Sequence, residues 1–403
     1  MPFDINRVML SLLAAILTIS PASAKNETFV RSWAVAMHEP VSDPRAALPD
    51  VTDHTIRQIV RVSSGGERMR IVLSNLENAA PLDIGHVEIA LAAPDGSIVP
   101  GSSRTVTFSG GERRAVVPAH SPFISDTIDF PIQPLGKVAV SIYLPSGGTD
   151  LATHRQAVAT GWLAPGDQSE RTRLDEAKPF TMRVVLTALK VAAERKAHTV
   201  VAFGDSITDG FRATLDADNR WPDDLAERLI AKGVRSTAVA NAGIGGNRLL
   251  TDGYGPNALS RFDRDVLSVP GVSHVVMLEG INDIGNAWRE NRTETMTAAR
   301  LIGAYRQMIE RAHGKGIKVV LGTILPFKGA PYFSDWGEGL RQEVNAWIRT
   351  QTMADGIVDF DAAMRDAAEP ARLRRDFDSG DFLHPNDTGY AAMAEAVDLK
   401  LFR

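Results

Sequence analysis

The 403-residue chain contains no cysteine. Disulfides, a lipid-modified cysteine, thiol nucleophiles and cysteine-based zinc sites are therefore excluded. A chain of this length can rely on its core instead of crosslinks. Positive charge is also not concentrated. Lys and Arg total 44 against 49 Asp and Glu, for a net charge of -5. The densest basic pairs, Arg113-Arg114 and Arg374-Arg375, are short and read as solvated surface. Nothing in this pattern offers a footprint for nucleic acid. Several familiar motifs are missing as well. There is no Walker sequence and no His-Glu-x-x-His pair, and Gly243-x-Gly245 lacks the third glycine of a dinucleotide fingerprint. Asp216-x-Asp218 has neither the glycine nor the distal Glu of a calcium loop. No cofactor and no metal are expected.

Past residue 24 no apolar run approaches the roughly 20 residues that cross a bilayer, so no span is expected in the mature chain. The apolar stretch Val8 to Ile19 follows Arg7 and ends in Pro21-Ala22-Ser23-Ala24, an A-x-A-like cleavage site. Residues 1–24 read as a secretory signal peptide cleaved after Ala24. At about 12 residues the stretch is short for the alternative, a membrane anchor. The mature protein is then expected in a bacterial periplasm or secreted into the medium.

The remainder divides by texture. Residues 25–191 hold short β-branched runs, such as 55–62, 69–73 and 86–91, separated by Gly65-Gly66, Pro94-Asp95-Gly96 and Gly110-Gly111. This predicts an all-β sandwich, jelly-roll-like, whose last strand is 181–187. The stretch 192–197, Ala-Ala-Glu-Arg-Lys-Ala, reads as a linker. Residues 192–403 alternate strand and helix. Strands are expected near 198–204, 236–243, 273–280, 317–326 and 356–361, and helices over 222–232, 293–312, 340–350 and 387–401. Such alternation implies an α/β fold with a parallel sheet and right-handed crossovers.

Four polar blocks punctuate this second half. Gly204-Asp205-Ser206 ends the apolar run Val200–Phe203, where α/β proteins place their chemistry. Asn241-Ala242-Gly243-Ile244-Gly245-Gly246-Asn247 follows a second apolar strand. Glu279-Gly280-Ile281-Asn282-Asp283 follows a third. Asp381-Phe382-Leu383-His384 lies near the C-terminus. A serine hydroxyl needs a base to become a nucleophile, and the base needs an acceptor to hold its tautomer. The Asp381-x-x-His384 spacing suits that pair. The tetrahedral intermediate needs preorganised donors. Gly246, with Gly243 and Gly245 as alternatives, can bring a backbone N–H close. Asn282 offers a side-chain amide, and the Ser206 N–H is a third donor. Asp205 and Asp283 read as turn acceptors. No Gly-x-Ser-x-Gly elbow surrounds Ser206, which argues against an ordinary α/β-hydrolase.

These four blocks, in this order, resemble the SGNH (GDSL) hydrolase superfamily over about residues 196–403. The resemblance implies a three-layer α/β/α fold of flavodoxin type and ester hydrolysis. By the same resemblance Ser206 is the nucleophile, Gly246 and Asn282 are oxyanion donors, and Asp381 and His384 complete the triad. Arg220-Trp221-Pro222-Asp223 and Arg261-Phe262-Asp263-Arg264-Asp265 look like a branch of arylesterases and acylhydrolases, some encoded beside xylan-degrading enzymes. The implied function is a secreted serine esterase for short acyl esters, with acetylated polysaccharide as the preferred partner. Its alternatives are a broad arylesterase or lipid acylhydrolase and, in another class, a non-catalytic carbohydrate-binding protein. Trp288, Phe327, Tyr332 and Trp336 are candidate substrate contacts. Every candidate catalytic residue follows residue 192, so that half is expected to hold the chemistry unaided. Oligomeric state is not readable from the sequence.

Overall fold

The computed structural model describes residues 27–38, 48–76, 78–147 and 151–402; the signal-peptide expectation falls outside them. Two large antiparallel sheets, with two smaller two-stranded pairs, make up the N-terminal part. One runs Thr28–Ala34, Leu186–Ala193, Gly66–Ser74, Pro122–Ile124, with Ile128–Ile132 also paired to Gly66–Ser74. The other runs Lys178–Phe180, Gly161–Pro165, His54–Arg61, Lys137–Leu144, His86–Leu91, Arg104–Thr105. Ile71, Leu73 and Leu189 of the first sheet share one buried core with Ile56, Val140 and Ile142 of the second. The β-branched side chains that mark these runs fill the space between two pleated faces.

The expected last strand, 181–187, is displaced. Val185 sits at a φ of 64°, which breaks the run. Arg183–Val184 pairs instead with Thr153–His154, and the long strand begins at Leu186. That strand continues to Ala193, where Ala192 and Ala193 pair with Phe29 and Thr28. The first two residues of the expected linker are therefore strand, and only residues 194–197 lead to the next strand.

In the C-terminal part five parallel strands run His198–Gly204, Thr237–Gly243, Val272–Leu278, Lys318–Gly322 and Gly356–Val358. Their spatial order is second, first, third, fourth, fifth. The order reverses beside the first strand, the usual position of a site in an open α/β sheet. Trp221–Ala231, Phe360–Met364 and Asp387–Ala396 pack together on one side, and Ala258–Phe262, Ala298–His313, Asp335–Thr350 and Ile281–Arg289 on the other. Three layers result. The helix expected from 293 starts only at Ala298, because the Thr297 side chain accepts the Arg300 N–H and caps it. Ile281–Arg289 is short and polar enough to have escaped the sequence reading. Among the described residues no helix is long and apolar enough to cross a membrane.

The two parts share an interface. Ala34, Val72 and Ala188 of the sandwich meet Ala240 of the strand Thr237–Gly243. The Ser63 hydroxyl lies 2.8 Å from Val239 O and accepts the Val239 N–H at 2.9 Å. An edge strand that would otherwise be open is thus covered. The contact depends on small side chains, with Ala188 fully buried. Ala188→Leu is expected to overpack it and lower stability by about 1–3 kcal/mol. Urea denaturation checks this, and an unchanged midpoint would contradict a close interface.

Candidate active site

The strand His198–Gly204 ends at Asp205, whose carboxylate accepts the Ile207 N–H at 2.9 Å and caps a one-turn helix, Ser206–Asp209. Ser206 therefore stands at the first position of that helix, where a backbone N–H has no intrahelical acceptor. Its hydroxyl oxygen lies 2.8 Å from His384 Nε2. His384 Nδ1 lies 2.9 Å from Asp381 Oδ2. With the carboxylate as acceptor, Nδ1 carries the hydrogen and Nε2 is free to accept from Ser206. The Phe211 ring stands edge-on to the imidazole, 4.7 Å between centroids.

The Asp–His turn is held tightly. Asp381 Oδ1 accepts the N–H groups of Leu383 and His384 at 3.1 and 2.9 Å. Asp378 accepts those of Gly380 and Phe382 at 2.9 and 3.0 Å. Between them Phe382 is forced to a φ of 61°, a costly conformation for an aromatic residue. Burial would raise the Asp381 carboxyl, but hydrogen bonds from the His384 ring and backbone outweigh it and hold the group well below the usual carboxylate range.

Gly246 adopts a φ of 75°, and its N–H has no hydrogen-bond partner among the described residues. A Cβ there would fall 2.5 Å from the Tyr254 ring, so a side chain would be strained at this φ and would displace that ring. Asn282 Nδ2 donates to Asn247 O at 3.0 Å, which leaves its second amide hydrogen available. Its Oδ1 accepts the Tyr332 hydroxyl at 3.3 Å. Burial pushes that phenol far above its ordinary range, so it keeps the proton it donates. These two contacts fix the amide orientation. Asp283 accepts Leu249 and Leu250 N–H at 2.7 and 3.1 Å, tying the loop after Thr237–Gly243 to the helix Ile281–Arg289.

Beneath these loops lies a fully buried residue to which the sequence reading gave no role, Arg261. Its guanidinium donates to Gly204 O at 2.9 Å, Ala242 O at 2.7 Å, the Asn247 side chain at 2.8 Å and Asp265 at 3.0 Å, and reaches Glu279 at 3.4 Å. Its neighbours are acidic. Burial raises Glu279 well above its ordinary value, and the Asp205 charge adds to the effect. Burial also lifts Asp205 to about 7, against the pull of the Ile207 N–H, and Asp283 to about 6.

A cavity of about 490 Å³ is walled by Gly246 and Asn282, together with Tyr254, Tyr332, Arg248 and Arg289. A larger hollow, about 690 Å³ and lined by Arg365, Arg374 and Arg375 among others, includes none of the candidate site residues. Of the four candidate aromatic contacts only Tyr332 lines the first cavity. Phe327 is fully buried in the core, Trp336 is half-buried against that core, and Trp288 is exposed on its helix away from the cavity wall. The loop after Lys318–Gly322 turns Phe327 inward, where its ring lies tilted against Tyr332 and edge-on to Phe333. Spacing alone carried no signal of that depth.

Residues 202–392 match the family model of the GDSL-like lipase/acylhydrolase family. No curated protein matches the chain. Among solved structures, a GDSL-like lipase from Bacteroides thetaiotaomicron is 24% identical, covering 52% of this chain and 90% of its own, with a TM-score of 0.40. An acetyl xylan esterase is 24% identical over 49% of this chain and 96% of its own, with a TM-score of 0.37. The native aryl esterase of M. smegmatis is 16% identical over 50% of this chain and 96% of its own, with a TM-score of 0.38.

The raised carboxyls imply a pH dependence. A carboxyl whose folded pKa lies above its unfolded value, about 3.9 for Asp, binds more protons folded than unfolded, so its contribution to stability falls as pH rises between the two. For Asp205 and Asp283 that window runs from about 4 to about 7 and 6 respectively. Stability is expected to decline across it. Asp205→Asn keeps a capping oxygen but cannot ionise, so its urea midpoint should decline less between about pH 5 and 7. A parallel decline in both proteins would contradict the buried-acid account.

Proposed function

We propose that residues 202–392, which match the model of the GDSL-like lipase/acylhydrolase family, form a domain of that family and that the chain hydrolyses carboxylic esters through an acyl-enzyme on Ser206. The reading rests on the unbroken chain from Asp381 to His384 to the Ser206 hydroxyl, with contacts of 2.9 and 2.8 Å. His384 takes the hydroxyl proton as Ser206 attacks the ester carbonyl. The oxyanion is received by the N–H groups of Ser206 and Gly246 and the Asn282 side chain. His384 returns the proton to the departing alcohol, then activates the water that releases the acid. No step requires a cofactor.

The substrate is proposed to be a short acyl ester of a polar alcohol, with acetylated polysaccharide as the preferred example. Arg248, Asn286, Arg289 and Glu290 contribute to the cavity wall beside Gly246 and Asn282. A long alkyl chain would desolvate these groups without replacing their hydrogen bonds, whereas sugar hydroxyls can pair with them. This disfavours a lipid acylhydrolase. The division into sandwich and hydrolase halves near residue 192, and export directed by residues 1–24, belong to the same proposal. The signal reading is supported by the Arg7, Val8–Ile19 and Ala22-Ser23-Ala24 pattern.

Ser206→Ala is expected to abolish turnover of p-nitrophenyl acetate while the circular dichroism spectrum is kept, since the hydroxyl occupies little volume. Turnover by the folded variant would reassign the nucleophile. Asn282→Ala should lower kcat by about 10²–10³ with a smaller effect on KM. A change confined to KM would make Asn282 a substrate-binding residue only.

A further inference from the structure

We infer that the N-terminal sandwich supplies a positioning residue of the active site, His154, which acts through Asp209 on the oxyanion loop. The inference rests on the proposed role of Gly246 as an oxyanion donor. His154 lies on the strand Thr153–His154 of the sandwich. Its Nε2 is 2.9 Å from Asp209 Oδ1, and its Nδ1 is 2.9 Å from Ala36 O. Both side chains of the pair are almost wholly buried, 2% and 3% exposed. Asp209 closes the one-turn helix that Ser206 opens. Its other oxygen, Oδ2, accepts the Gly245 N–H at 3.1 Å. Gly245 directly precedes Gly246. One carboxylate therefore links the sandwich, the nucleophile's helix and the loop that presents the Gly246 amide.

The ring directs one nitrogen to each side, Nε2 toward the Asp209 carboxylate and Nδ1 toward Ala36 O. Removing it takes a hydrogen-bond partner from a carboxylate that is almost wholly buried. The flanking residues act on the same loop. The Gln156 side chain occupies the space over Gly245, where a Cβ would fall 2.3 Å from its oxygen. The Arg155 guanidinium stacks on the Tyr254 ring at 4.0 Å, and that ring covers Gly246. Residues 154–156 are thus a back wall for residues 245–246. This departs from the expectation that everything the chemistry needs follows residue 192.

The test uses the full-length chain with His154→Ala, His154→Asn and His154→Gln, assayed on p-nitrophenyl acetate with thermal midpoints measured in parallel. Misplacing the loop should lower kcat of the Ala variant about 10- to 100-fold, with KM within about threefold, because ground-state binding does not depend on the oxyanion donors. Gln extends an amide donor toward Asp209 and should recover most of kcat, whereas the shorter Asn should behave as Ala. If Ala does not fold, the contrast between Gln and Asn decides. Folded Ala and Asn variants with wild-type kcat would overturn the inference, as would losses that follow the thermal midpoint alone in all three. Failure of all three to fold would also overturn it, leaving His154 a residue of stability only. A wild-type chain inert on every ester would instead sink the functional reading.

Discussion

The buried guanidinium of Arg261 is the constraint on which the site depends. The first three strands of the parallel sheet end in loops that must all point their polar groups at one small volume, and nothing in a parallel sheet fixes those ends relative to one another. Arg261 bonds the carbonyls at the ends of the first two strands, Gly204 and Ala242, and reaches Glu279 beyond the third. It also grips the Asn247 side chain, while the Asn247 carbonyl orients Asn282. A planar, always-charged fork with five donors can make this set of bonds, and a lysine could not. The cost is a pocket of acids whose carboxyls burial holds above their ordinary values, Asp205, Glu279 and Asp283. The fold tolerates them because each also holds backbone or the guanidinium in place.

Much of this was legible in the sequence where local pattern and tertiary role coincide. The first strand was read to the residue because His198–Gly204 is apolar on both faces and ends at a capping aspartate. The signals for Ser206, Asp381 and His384, a strand end and an Asp-x-x-His turn, are short-range, and the structure brings the three side chains together. Other features were hidden because they depend on partners distant in sequence. Arg261 sits in a charged phrase that looks solvated. His154 and Asp209 lie 55 residues apart and meet only across the interface. Ala192-Ala193 has the composition of a linker, yet pairing with Phe29 and Thr28 makes it strand. Phe327 and Tyr332 are alike in sequence context, but the loop turns one into the core and the other toward Asn282.

The sandwich is joined to the C-terminal part by more than a tether. It covers the edge strand Thr237–Gly243 with small side chains, and it places His154 to Gln156 behind the loop that follows the same strand. Edge protection and loop support are therefore supplied by one surface. The same loop carries Tyr254 and Arg248 into the cavity wall, so the polar character of that wall is coupled to the sandwich as well.

The central claim is that Ser206, activated by His384, attacks a carbonyl and becomes covalently acylated. A fluorophosphonate reacts with such a serine and stays attached, and mass spectrometry of the digested protein locates it. The account predicts a single stoichiometric adduct on the peptide containing Ser206, and none when His384 is replaced by alanine. Labelling at another residue, or equal labelling without His384, would contradict it.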